Sequence, residues 1–192
     1  MLEEQALRHV PFYCEENVFQ LLAYGSLSLD ADPQSSIEVV FISNAHGQVA
    51  CWEQRAAPVR GQPIAWDYHV VAAVRSEAQC DVWDLDSHLG HPVPAATWLA
   101  RTFRDPMMVR PRFWPLFRVV PRAQFLAEFA TDRSHMRRAD GTWRRLPPPW
   151  PAPGAPNMNL RQWVDMTPGQ GPGNVMNRLA LEAHWGLTGA GA

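Results

Sequence analysis

Apolar residues recur at helical spacing between Glu16 and Tyr24, where Val18, Leu21 and Leu22 share a face and Gly25 supplies a stop. The period then shortens. IEVVFIS (37–43) is β-branched and compact, and the turn-rich NAHG separates it from a second strand candidate, QVACWEQ (48–54). PIAWDYHVVAAV (63–74) and CDVWDLD (80–86) bring the count to four strands, which predicts an antiparallel meander. PAATWLARTF (94–103) predicts a helix, LFRVV (116–120) a strand, and PRAQFLAEFA a helix with Pro121 in its first turn. TDRSHMRRADGTWRR reads as polar and irregular, and LPPPWPAPGAP as a Pro-rich loop at about 146–157, because proline removes donors and blocks helix. Asn159 is placed to cap a short helix through Val164. After the turn-rich TPGQGPGN, a last helix is expected around Val175–Trp185. The order predicts an α+β class, an antiparallel sheet with packed helices, in a single domain spanning residues 1–192.

Composition narrows the classes. Hydrophobic residues make up 46% of the chain, so a sizeable core is expected rather than disorder. The net charge of −2 hides an asymmetry: residues 1–100 hold 13 acids and 4 arginines, residues 101–145 hold 11 arginines and 4 acids. All 17 basic residues are Arg, which excludes lysine as nucleophile, base or Schiff-base partner. The Arg-rich stretch carries no nucleic-acid motif, so a solvated or salt-bridged face is expected and no nucleic-acid partner. Cys14, Cys51 and Cys80 are odd in number and far apart, with neither zinc spacing nor a disulfide framework. MLEEQALRHV lacks the apolar core of a signal peptide, and no run approaches the ~20 apolar residues of a membrane span. A cytoplasmic, monomeric protein without membrane attachment, metal or cofactor is the expectation. His88 and His91 lack a third ligand and read as loop histidines, and Cys51 and Cys80 as buried thiols.

Candidate chemistry begins at FYCEENVFQLL (12–22), where Cys14 directly precedes two glutamates at a helix start. A helix N-terminus favours thiolate over thiol, although a small buried hydrophobe would suit the position as well. The hairpin between 63–74 and 80–86 supplies partners. If RSEA (75–78) is a four-residue loop, Val74 faces Gln79 and His69 falls opposite Asp84, with Asp67 opposite Asp86. That register places His69, Asp84, Asp67 and Asp86 on one polar face and Trp66, Tyr68, Val70, Trp83 and Leu85 on the other. A solvated face without a task is the plain alternative for any one of these residues. A thiol, an imidazole and an orienting carboxylate together give nucleophile, base and orienter.

YCEENVF (13–19), VVFISN (39–44), WDYHVV (66–71), DLD (84–86), FRVVP (117–121), FATDRSHM (129–136), PPPWP (147–151) and MNL (158–160) occur in the order seen in protein N-terminal glutamine amidohydrolases, which this chain resembles. The resemblance spans residues 12 to about 165. It implies a cysteine-protease and transglutaminase-like core, with the roles of nucleophile, base and orienting acid falling on Cys14, His69 and Asp84. It implies hydrolysis of the side-chain amide of an N-terminal glutamine, in peptide or protein substrates, to glutamate and ammonia, without a cofactor. Glu15, Asp67 and Asp86 are candidates to receive the terminal ammonium, and Ser134 and His135 in the DRSHM loop to line the pocket. That loop reads equally as a structural turn in which Asp132 pairs with Arg133 or a neighbour. The chain departs from the family at SHLGHPVP (87–94), where threonine and a Leu-Pro-Phe-Pro-like run are usual, and at Trp150, where the family has Tyr. The triad alone also suits a protease, a transglutaminase or a broader glutamine deamidase. A non-catalytic module that binds the N-terminus is the rival from another class.

Overall fold

The computed structural model describes residues 9–25 and 35–187; most of MLEEQALRHV, read above for a leader, lies outside them. The elements are α1 (Cys14–Tyr24), β1 (Ser36–Ser43), β2 (Val49–Cys51), β3 (Ile64–Trp66), β4 (His69–Arg75), β5 (Cys80–Trp83), β6 (Val93–Pro94), α2 (Ala95–Thr102), β7 (Leu116–Pro121), α3 (Arg122–Glu128), α4 (Leu160–Val164), β8 (Asn174–Met176) and α5 (Arg178–His184). The class is α+β, with an antiparallel sheet in the order β6-β5-β4-β1-β7-β8 and a separate β2–β3 ribbon.

The expected four-strand meander is not what forms. β1 pairs with β4 and β7, while β2 pairs only with β3. The run 63–74 divides because Asp67 and Tyr68 leave the extended ladder between β3 and β4. Val175, expected at the start of the last helix, lies in β8, and α5 starts after Asn177, whose side chain accepts from the Ala180 N–H. Pro121 ends β7 and caps α3 rather than sitting in its first turn.

β1 is buried almost throughout because helices cover the sheet on both faces, and its one charged residue, Glu38, is met by His184 and Trp185. Alternate residues divide between two cores, as the two-residue period of a strand requires. Val39, Phe41, Val70 and Ala72 face α1, α3 and α4, packing with Leu21, Phe125, Phe129 and Trp163. Val40, Ile42, Val71 and Ala73 face α2 and α5, packing with Trp98, Leu99, Phe117 and Leu181. On the first face Phe41, Phe125, Phe129 and Trp163 form a ring cluster with centroids 4.9–6.2 Å apart. Each such buried ring contributes roughly 1.5–3 kcal/mol. This packing fixes β4 against the start of α1. The loop after α4 closes against α4 and β7, where a Cβ on Gly171 or Gly173, both at positive φ, would collide with a backbone carbonyl. Among the described residues no helix is long and apolar enough to cross a membrane.

Candidate active site

Cys14 is the first residue of α1 and lines a cleft of about 1080 Å³ together with Phe12, Trp66, Asp67, Tyr68, Asp86, Ser134 and His135. The chain enters this helix through Phe12 in the left-handed region, at φ 71°. A bulky residue held there stores strain of order 1–3 kcal/mol, and such strain concentrates at functional sites. Glu53 and Arg133 share the conformation, and they directly precede Gln54 and Ser134.

His69 heads β4 and is fully buried. Its Nε2 lies 2.9 Å from Asp84 Oδ1. A carboxylate only accepts, so Nε2 carries a proton, and in the neutral ring Nδ1 keeps the lone pair. That Nδ1 is buried with no hydrogen-bond partner. Asp84 is saturated: Gln54 Nε2 (3.1 Å) and Trp98 Nε1 (3.0 Å) donate to Oδ2, and the Asp86 N–H (3.2 Å) donates to Oδ1. Gln54 Oε1 in turn accepts from Trp66 Nε1 at 3.3 Å, and the Trp66 ring stacks on the imidazole at 5.9 Å and 11°. The imidazole is therefore held at its edge and across its face.

The expected register is corrected here. The hairpin loop has four residues but runs from Ser76 to Gln79, one position later than expected, so Val74 pairs with Asp81 and Arg75 with Cys80. The ladder slips by two residues and ends at Trp83. Asp84 reaches His69 from the turn beyond the strand, not from directly across it. An even slip preserves the side-chain faces, which is why the pair survived a wrong register. Before His69, where the chain has left the ladder, the expected division of faces does not hold. Trp66 and Tyr68, placed on the opposite face, line the cleft together with Asp67, which is exposed at its rim, its carbonyl accepting from Ser43 Oγ.

The electrostatics around Cys14 also differ from the helix-terminus expectation. Burial pushes the thiol well above its usual pKa of 9.0, and Glu15, Asp86 and Asp67 add to this, against a backbone hydrogen bond from Val70. The resting group is thiol, donating to Glu15 Oε2 at 3.6 Å rather than bonding His69. The Val70 bond nonetheless places the sulfur beside the peptide that follows His69. At His69, burial by itself lowers the pKa, but the charge and hydrogen bond of Asp84, with Asp86 and Glu15 behind, outweigh it and the net direction is up. At Asp84, burial raises the pKa, while His69 and the Trp98 and Gln54 bonds lower it further, and the net direction is down.

The remaining candidates take distinct places. Glu15 is fully buried, with Oε1 unpartnered and a carboxyl pushed up to about 7, first by burial. His135 Nε2 stands 3.7 Å from that oxygen and 3.4 Å from Tyr68 Oη. Asp86 is paired with His9 at 2.7 Å. Ser134 starts a short 3-10 turn in which Asp132 Oδ1 accepts from its N–H. Of the two partners expected for Asp132 it takes the neighbour, Ser134, and not Arg133. Arg133 grips Glu16 through Nε and one terminal nitrogen, both at 2.7 Å. Trp150, where the family usually has Tyr, donates to the same carboxylate at 3.0 Å, so the change keeps the donor. Ser87, at the position of the usual Thr, keeps the hydroxyl that accepts from Leu89 N–H. Gln54, Trp66, Tyr68 and Trp98 were missed as site residues. Nothing in their local pattern distinguishes them from packing residues.

The model of the N-terminal glutamine amidase family matches residues 9–185. The chain belongs to that family. Proteins named protein N-terminal glutamine amidohydrolase are similar along most of their length. Those of Bos taurus and Homo sapiens are each 39% identical over 166 residues, covering 85% of this chain and 79% and 80% of theirs. That of Danio rerio is 35% identical over 179 residues, covering 91% of this chain and 87% of its own. The matched span holds every residue of the cleft named above.

Proposed function

We propose that this amidase hydrolyses the side-chain amide of an N-terminal glutamine in peptides or proteins, giving glutamate and ammonia, with Cys14 as nucleophile, His69 as base and acid, and Asp84 as orienter. The names of its relatives support the reaction. The observation that carries the residue roles is the His69 imidazole, fixed by Asp84 at Nε2 and left with a buried, unpartnered Nδ1 next to the strand position that bonds the Cys14 sulfur. The reaction requires the thiol to turn off Glu15 toward that nitrogen. Nδ1 takes the thiol proton, and the sulfur attacks the amide carbon. The unpaired N–H groups of the first turn of α1 face the developing oxyanion. His69 then gives the proton to the leaving nitrogen, which departs as ammonia and leaves a thioester. Water loses a proton to His69, attacks the thioester and restores the thiol.

The carboxylates that hold the thiol protonated also suit the reaction's selectivity. A substrate ammonium settling among Glu15, Asp67 and Asp86 offsets their field and lowers the thiol pKa when the correct terminus is bound. The fold around these residues is read as a cysteine-protease and transglutaminase-like core, working as one monomeric catalytic domain in the reducing cytoplasm.

Mass spectrometry of a Gln-led peptide tests the proposal. A gain of one mass unit with ammonia release, and no chain cleavage, is expected; N-terminal acetylation, or replacing the first residue by Asn, abolishes it. Full turnover by Cys14→Ser, folded by circular dichroism, would overturn the assignment of the nucleophile.

A further inference from the structure

The cleft exceeds the ~300–1,000 Å³ that encloses a drug-sized ligand, at about 1080 Å³, so several residues of a bound chain have room in it. Charged residues of both signs line it. Asp67 and Asp86 act directly on the Cys14 thiol. Arg144 and Arg145 line the same cleft, and they also line an adjoining hollow of about 720 Å³ with Arg138 and Ala139. Arg161 and Asp165 at α4 also line the cleft, with opposite signs.

The three guanidiniums of the hollow have no carboxylate within ion-pair distance among the described residues. The acid nearest in sequence, Asp140, accepts instead from the Thr142 N–H and hydroxyl. The loop that presents the arginines is fixed. Arg138 donates to the Trp143 carbonyl at 2.7 Å, Arg137 lies 3.9 Å over the Trp143 ring, and Tyr13 donates to the Arg145 carbonyl at 3.0 Å. Tyr13 adjoins Cys14, so this loop is tied to the element carrying the sulfur. The Arg145 guanidinium lies 4.1 Å over Phe12, Phe12 packs 5.8 Å from Trp66, and Trp66 stacks 5.9 Å from His69. Those steps bound the guanidinium to within ~16 Å of the imidazole, a distance that about five extended residues span at 3.3–3.6 Å each.

We propose that Arg144 and Arg145, with Arg138 behind them, receive acidic side chains at about the third to fifth residue of the substrate, so that Gln-led chains with acidic residues there are preferred. The inference rests on the amidase reading above and adds a substrate class to it. A chain carrying an ammonium at its start and carboxylates a few residues on offers a partner both to the acids beside Cys14 and to the unpaired arginines of the adjoining hollow.

The test compares ammonia release from Gln-Gly-Asp-Asp-Asp, Gln-Gly-Ser-Ser-Ser and Gln-Gly-Lys-Lys-Lys peptides with amidated C-termini. At low ionic strength kcat/KM is expected to rank Asp over Ser over Lys, with about fivefold per step, and the differences are expected to shrink in 0.5 M salt. Arg144→Glu with Arg145→Glu is expected to invert the ranking, a gain on the Lys peptide that misfolding cannot imitate. Equal kcat/KM for the three peptides, or a ranking unchanged by the double reversal, overturns this inference alone. Absence of ammonia from all three overturns the amidase reading and this inference with it.

Discussion

Glu15 and Glu16 are consecutive residues of α1, both with no solvent exposure, and the fold treats them in opposite ways. Glu16 is saturated: Arg133 holds both oxygens at 2.7 Å, and Trp150 donates to one at 3.0 Å. Arg133 also donates to the Trp150 carbonyl, so the Pro-rich loop and the DRSHM turn are bolted to the helix. Glu15 has only long contacts: Cys14 Sγ donates to Oε2 at 3.6 Å, His135 Nε2 stands 3.7 Å from an Oε1 that makes no hydrogen bond, and the carboxyl is pushed up to about 7. A buried charge with every lone pair answered at short range holds structure; one met only by long contacts costs stability and is kept for another use. The same contrast separates Asp84, with four donors, from the open Nδ1 of His69.

Substitutions can break or sharpen this contrast. The largest expected effect is at Asp84. Asp84→Asn offers His69 an amide in place of a carboxylate, releases the tautomer and is expected to lower kcat by about 10²–10⁴-fold. It is also expected to flatten the stability profile in pH. His69 has a raised folded pKa, so its share is present below the unfolded 6.5 and lost as pH rises through the folded value. Asp84 has a lowered folded pKa, so its share is present above the unfolded 3.8 and lost as pH falls through the folded value. Chemical denaturation across pH 3 to 9 checks both limbs, and an unaltered profile in Asp84→Asn would break the pairing argument.

On the structural side, Arg133→Ala strands a buried carboxylate and is expected to cost about 3–5 kcal/mol of unfolding free energy. Arg133→Ala with Glu16→Gln should recover part of that loss, because the double variant leaves no unpaired charge. A denaturation double-mutant cycle measures it, and a fully additive result would mean the pair is not coupled.

Glu15→Gln should behave in the opposite sense. With the folded pKa raised from 4.5 to about 7, the wild type loses stability as pH rises between those values. Glu15→Gln removes that slope and is expected to gain on the order of 3 kcal/mol at pH 8 at most, while KM for the Gln-led peptide rises. Destabilisation of Glu15→Gln at pH 8 would place Glu15 with Glu16 as a structural carboxylate. The smallest effect is expected at Trp98→Phe, which deletes one donor to Asp84 and costs about 1–2 kcal/mol with a modest fall in kcat. An unchanged pH–rate profile in that variant would separate packing from tuning of the dyad.

The sequence by itself determined the elements whose periodicity comes from local burial: α1 with its Gly25 stop, β1, β7, α3 and the α4 segment after Asn159. It also brought His69 and Asp84 together, because an error of two residues leaves side-chain faces unchanged. The tertiary structure alone decided strand order, since β1 takes β4 and β7 as partners only when helices cover both of its faces. It alone assigned Gln54, Trp66 and Trp98 to the imidazole–carboxylate pair, side chains that converge from three separate elements or loops. It also decided the fates of Glu15 and Glu16, which no local pattern distinguishes. Hydrogen-bond satisfaction is settled by partners more than a hundred residues away, and that distance is what a reading of neighbouring residues cannot span.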